Sequence, residues 1–192
     1  MEPLERADPK LPALVALEVA SIARGLSVVD ALVKRAEVRL LAADPVSPGK
    51  YLVVFAGFEA EARESLDAAL ELAAGDAIDS FFLPQAHRAL VEGLRGLEVP
   101  PLVGALGTLE MRTASATLLA ADAALKSANV ALVAIRLAKG IGGRGYVAFT
   151  GTQDSVEAAL LAGDDAVDHS QRFASELIAR PHPDLDWVLA RL

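Results

Sequence analysis

The chain has 192 residues, 53% hydrophobic and 23% charged, a balance that calls for a packed core and excludes extensive disorder. Its 26 acidic residues outnumber 18 lysines and arginines, giving a net charge of −8, which speaks against a general nucleic-acid binder. There is no cysteine, so disulfides, thiolate zinc sites, cysteine-ligated clusters and cysteine nucleophiles are excluded.

Residues 1–12 are expected to form an N-terminal extension. Glu2, Glu5, Arg6, Asp8 and Lys10 alternate there with Pro3 and Pro9, unlike the apolar segment of a signal peptide. No apolar stretch reaches the roughly 18 residues of a membrane span. A soluble, cytoplasmic protein with no membrane and no nucleic-acid partner is expected.

A strand is predicted over 14–20 and a helix over 21–36, where Ile22, Leu26, Val29 and Val33 recur at helical spacing on one face. A strand over 38–43 follows, then the turn Pro45-Val46-Ser47-Pro48-Gly49-Lys50, then a β-rich run over 51–55. The next helix, over 59–74, is one that Gly75 is placed to stop, and a tail runs from 78 to 97. Glu98-Val99-Pro100-Pro101 reads as a short, stiff, extended linker. The series then restarts: a strand over 103–111, a helix over 113–128, a strand over 130–137 and the turn Lys139-Gly140-Ile141-Gly142-Gly143-Arg144. A β-run over 146–149, a helix over 153–162 that Gly163 is placed to stop, and a tail over 166–192 complete it.

The restart is a repeat in residues as well as in pattern. Glu18 matches Glu110, Asp30 matches Asp122, Lys34 matches Lys126 and Val38 matches Val130, at a constant spacing of 92 residues. Beyond the turns, Phe55-Ala56-Gly57 matches Phe149-Thr150-Gly151 at 94, so the second turn is two residues longer. The order β-α-β-β-α-β is that of a ferredoxin-like unit. The fold class is therefore α/β (α+β), with two tandem units over 13–98 and 99–192.

Reactive constellations are not apparent. His87, His169 and His182 lack metal-ligand spacing, and no metal or cofactor is expected. Glu18 and Glu110 could suggest acid–base chemistry, but no nucleophile, metal motif or phosphate loop accompanies them, and a structural role is expected. The glycines from 140 to 145 precede a strand and lack the Gly-Lys-Ser/Thr ending of a phosphate loop. No catalytic residue is assigned, and the protein is not expected to be an enzyme.

Three segments resemble a known family: Glu18-x-x-Ser21-Ile22-Ala23-Arg24-Gly25-x4-Asp30-x3-Lys34, its partial recurrence from Gly104 to Val130, and Arg180-Pro181-His182-Pro183. Together they resemble the tandem-domain shell proteins of bacterial microcompartments. The resemblance implies a structural shell protein that forms a pseudohexameric homotrimer and tiles with hexameric and pentameric shell proteins of the same microcompartment. The strand–helix order looks unpermuted, which implies a single-layer trimer. The two turns would line a central pore, through Ser47, Pro48 and Gly49 and through Ile141, Gly142 and Gly143. Lys50, Lys139 and Arg144 would flank it as a positive collar passing small polar metabolites, anionic ones included. Some family members carry a cysteine near the Ser47 position and hold an iron–sulfur cluster; serine stands here, so none is expected. The resemblance also places Lys34 and Lys126 at tile edges, joined by Arg180 and His182. The first copy has Gln85 and His87 in that place, so the edges are expected to differ in strength. The competing reading is a trimeric ferredoxin-like small-molecule sensor.

Overall fold

In the computed structural model, which describes residues 13–96 and 100–189, two four-stranded antiparallel sheets each carry a pair of long helices on one face. The first half runs β1 (Ala13–Val19), α1 (Ile22–Arg35), β2 (Arg39–Val46), β3 (Lys50–Gly57), α2 (Glu59–Ala73), β4 (Ala77–Leu83) and the short α3 (Arg88–Leu94). The second repeats it as β5 (Ala105–Met111), α4 (Ala114–Ser127), β6 (Ala131–Leu137), β7 (Gly145–Gly151), α5 (Gln153–Asp165), β8 (Arg172–Ile178) and α6 (Asp184–Leu189). The strand orders are β2-β3-β1-β4 and β6-β7-β5-β8, the expected ferredoxin-like arrangement. Even the ladder irregularities recur: β2 bulges between Leu40 and Ala42, and β6 between Leu132 and Ala134.

Local chemistry sets the helix starts. Ser21 caps α1 by accepting from the Arg24 amide, and Thr113 caps α4 by accepting from the Ala116 amide. Strand periodicity then sorts the core. Val15, Leu17 and Val19 on one face of β1 pack with Val28, Leu32 and Leu66 beneath α1 and α2. Leu14 and Ala16 point the other way and join a cluster with Leu109 and Leu118 of the second half. The first sheet is thus covered on both faces, which accounts for the burial of every residue of β1, apolar but for Glu18.

The structure resolves one open reading and corrects one expectation. Helix α1 buries Gly25, Val28 and Leu32 on its own sheet, whereas Ile22, Leu26 and Val33 are exposed at 42%, 59% and 42%. Its apolar stripe is wide enough to serve two surfaces, and the periodicity picked out the outward one. Gly163 does not end α5, which continues to Asp165. A Cβ there would lie 2.4 Å from Leu109 Cδ1 and 3.0 Å from the Ala120 carbonyl oxygen, so this glycine lets α5 cross closely over β5 and α4. In the first half Gly75 does follow the helix end, and Ala74, at φ 46, makes the turn.

The expected N-terminal extension, and Glu98 and Val99 of the expected linker, lie outside the described residues. Just past Pro101, the chain is tied to the second half. The Leu102 amide donates to Asp186 Oδ1 at 2.7 Å and the Val103 amide to Thr150 Oγ1 at 2.8 Å.

Candidate functional site

The two halves meet where α4 lies across the face of the first sheet that α1 and α2 leave uncovered. Ala114, Leu118, Ala121 and Leu125 are the repeat counterparts of Ile22, Leu26, Val29 and Val33, and all four are buried. Glu18, fully buried, anchors this seam. One carboxylate oxygen accepts from the Ala114 amide at 3.1 Å, at the positive end of α4, and the other pairs with Lys50 Nζ at 3.1 Å. Asp122 closes the far end of the seam by accepting from the His87 amide at 2.6 Å. Lys126 pairs with Asp122 at 2.6 Å and donates to the Gln85 carbonyl.

The same residues in the other register stand open. Glu110 pairs with Arg144 at 2.8 Å, as Glu18 does with Lys50, but is one-third exposed. Burial pushes the phenol of Tyr146, across the ladder from Glu110, above its ordinary value, with Arg136 acting in the opposite sense. Asp30 and Lys34 pair with each other at 2.6 Å on the exposed surface of α1. His87 and His182 both accept a backbone amide two residues on through Nδ1, at 3.3 Å each. They act as turn-formers, and Arg180 shares an exposed segment with His182.

The two turns singled out by sequence also come together. Ser47, Pro48 and Gly49 form the exposed three-residue loop between β2 and β3, with Gly49 at φ +99. The second loop spans 138–144, and Gly143 in it is buried against the first: a Cβ there would lie 2.8 Å from the Ser47 carbonyl oxygen and 3.6 Å from Pro48 Cδ. At φ +81 only glycine suits that approach. Gly142 is exposed and Ile141 partly so.

The flanking cations are each countered. Lys50 holds Glu18, Arg144 holds Glu110 and Lys139 holds Asp44 at 3.3 Å, so the expected positive collar is offset residue for residue. Arg144 also stacks 3.8 Å over the Phe173 ring, a contact with no sequence signal because Arg144 ends the loop before β7 while Phe173 lies on β8. The seam role of Glu18 was equally hidden; the one clue was its recurrence as Glu110. Among the described residues, no group of three or more His, Asp and Glu could hold a metal ion, and no helix is long and apolar enough to cross a membrane.

This arrangement is shared with known proteins. The BMC domain model matches residues 13–86 and again 105–181. The bacterial microcompartment shell protein PduT of Citrobacter freundii is 32% identical over 170 residues, covering 88% of this chain and 92% of its own. The carboxysome shell protein CcmK2 of Thermosynechococcus vestitus is 38% identical over 88 residues, 44% of this chain and 84% of its own, the length of one half. The crystal structure of a microcompartment protein from Desulfitobacterium hafniense superposes with a TM-score of 0.87 at 37% identity, covering 91% of this chain and 98% of that one. A ferredoxin-like unit present twice, docked helix-on-sheet and matched along nearly its whole length by shell proteins, identifies the chain as a member of the BMC-domain family of bacterial microcompartment shell proteins, with two domains in tandem.

Proposed function

We propose that three copies of this chain close into a ring in which six half-chains alternate about a threefold axis, and that the ring is a structural, non-catalytic tile of a microcompartment shell in the bacterial cytoplasm. The supporting observation is the unequal burial of two equivalent helix faces. Leu118 of α4 is fully buried on the first sheet, while its counterpart Leu26 on α1 is 59% exposed. The uncovered face of the second sheet, where Phe173 is exposed, is the surface on which α1 of another copy repeats the docking. Each chain then offers one helix and one sheet face to different neighbours, a head-to-tail contact that closes as a ring. In it Glu110 accepts from the Ile22 amide of the next copy, as Glu18 does from Ala114.

The hairpins follow from the same symmetry. Ser47, Pro48, Gly49, Ile141, Gly142 and Gly143 share one corner of the chain, and threefold repetition of that corner lines a pore with backbone groups and the Ser47 hydroxyl. Such a pore passes small polar metabolites; the paired state of Lys50, Lys139 and Arg144 gives no argument for a preference for anions. Residues 13–98 and 99–192 supply the alternating units. Lys34 and Lys126, with Gln85, His87, Arg180 and His182, lie at the rims of the two kinds of seam, where tiles meet hexameric and pentameric shell proteins. The relatives being shell proteins favours this reading over a trimeric sensor.

Light scattering tests it. Three chains of 20.0 kDa give a particle of about 60 kDa. Leu26→Asp places a charge on the docking face without touching the core of either half, and is expected to yield folded monomers. A wild-type chain that stays monomeric at high concentration overturns the ring.

A further inference from the structure

We infer that the seam between copies is a size-exchanged version of the seam within the chain, with Val188 of one copy seated over Ala43 and Leu40 of the next. The inference rests on the ring proposed above and adds what specifies its order.

Within the chain, α3 lies against the edge strand β6. A Cβ at Gly93 would stand 2.6 Å from Leu132 Cδ2 and 3.5 Å from Ile135 Cγ2, so a larger residue there would have to push the 8%-exposed Leu132 aside over Ile135. Helix α6 is the counterpart of α3. Leu185 and Leu189 pack on Leu106 and Val133 of the second sheet, as Leu90 packs in the cluster of Leu14 on the first. His87 and His182 form matching turns ahead of the two helices. The position of Gly93 is taken by Val188, 37% exposed.

The receiving strand changes in the opposite sense. Leu132 and Ile135 pair with Phe149 and Val147 on either side of the β6 bulge, and Leu40 and Ala43 pair with Phe55 and Val53 on either side of the β2 bulge. Leu40 is therefore the counterpart of Leu132, and Ala43 of Ile135. Three side-chain carbons gained from Gly93 to Val188 are matched by three lost from Ile135 to Ala43. Leu40, itself 37% exposed, can turn into the space above Ala43 and make room for the valine. Total volume is kept, which is what close packing rewards.

Mispairing is then penalised from both sides. Gly93 against Ala43 leaves a void, and Val188 against Ile135 overfills. The exchange forces first and second halves to alternate and rejects pairing of like with like, specificity through a built-in misfit.

The test uses the full chain and its single tryptophan, Trp187, which neighbours Val188 and is 60% exposed. Ala43→Ile is expected to raise the trimer dissociation midpoint roughly tenfold or more, with Trp187 emission shifted to the red. Adding Val188→Gly should restore the wild-type trimer, since the pair then copies Gly93 and Ile135. Val188→Phe, at a site exposed in the single chain, overfills the same seam without entering the core of either half and should also dissociate the trimer. Trimers of wild-type strength in Ala43→Ile or Val188→Phe, or no recovery in the double variant, overturn the size exchange. The ring itself would survive that outcome if the wild type is trimeric and Leu26→Asp is not.

Discussion

Glu18 shows how much one side chain can decide in this molecule. It has no solvent contact, yet both carboxylate oxygens are engaged, one by the first amide of α4 and one by Lys50. Its twin Glu110 keeps the equivalent cation, Arg144, but among the described residues holds no helix terminus. Replacing Glu18 with alanine strands a helix amide and a largely buried ammonium, and should cost about 2–4 kcal/mol of chain stability. Lys50 retains some solvent access, which keeps the figure below that of a fully buried pair. A lowered urea midpoint in Glu18→Ala checks it; Glu110→Ala should leave the midpoint nearly unchanged and weaken trimer association instead. The sequence displays both glutamates at matching positions, but which one is buried depends on what docks above it, and that is a tertiary fact.

At the scale of elements, the repeat made the first three strands and both long helices of each half legible, to within a few residues at most ends, whereas β4, β8 and the short helices α3 and α6 lay undivided within the two tails. Caps such as Ser21 and Thr113 are local chemistry and need no knowledge of the rest of the chain. The misread features are those whose meaning depends on a neighbour. Gly163 looks like a helix stop because glycine commonly ends helices, yet here it answers to Leu109 and the Ala120 carbonyl pressing on α5 from outside. Gly163→Ala should therefore destabilise the second half by about 1–3 kcal/mol through overpacking, despite alanine's better helix propensity. A thermal melt showing stabilisation instead would mean that the α4–α5 crossing has slack. Likewise, the stripe of Ile22, Leu26, Val29 and Val33 was visible as an amphipathic face, but periodicity alone does not say which of two available surfaces covers it.

For the whole molecule, the consequence is that one chain contains both a satisfied and an unsatisfied copy of the same interface. Lys34 and Lys126 make this visible at the surface. Both pair with an aspartate one helical turn back, but only Lys126 also reaches a carbonyl of the other half. Exposed pairs of the Lys34 type contribute roughly 0–1 kcal/mol, so Lys34→Ala should leave the trimer intact. At tile edges, its loss and that of Lys126 should instead reduce the extent of two-dimensional sheets seen by electron microscopy; sheets of normal size would remove both lysines from the edge. By itself the sequence determined the duplicated β-α-β-β-α-β series, the family and the two turns, because these rest on local propensity and on residues recurring at fixed spacing. Only the tertiary structure decided which helix face is covered, that Gly143 nests against Ser47, and that each flanking cation already has a carboxylate. The helix docking, the Gly143 approach and the Lys139–Asp44 pair join segments more than 90 residues apart, and the Lys50–Glu18 and Arg144–Glu110 pairs join segments 32 and 34 apart; matching motifs acquire different surroundings when one chain can satisfy only one of its two seams.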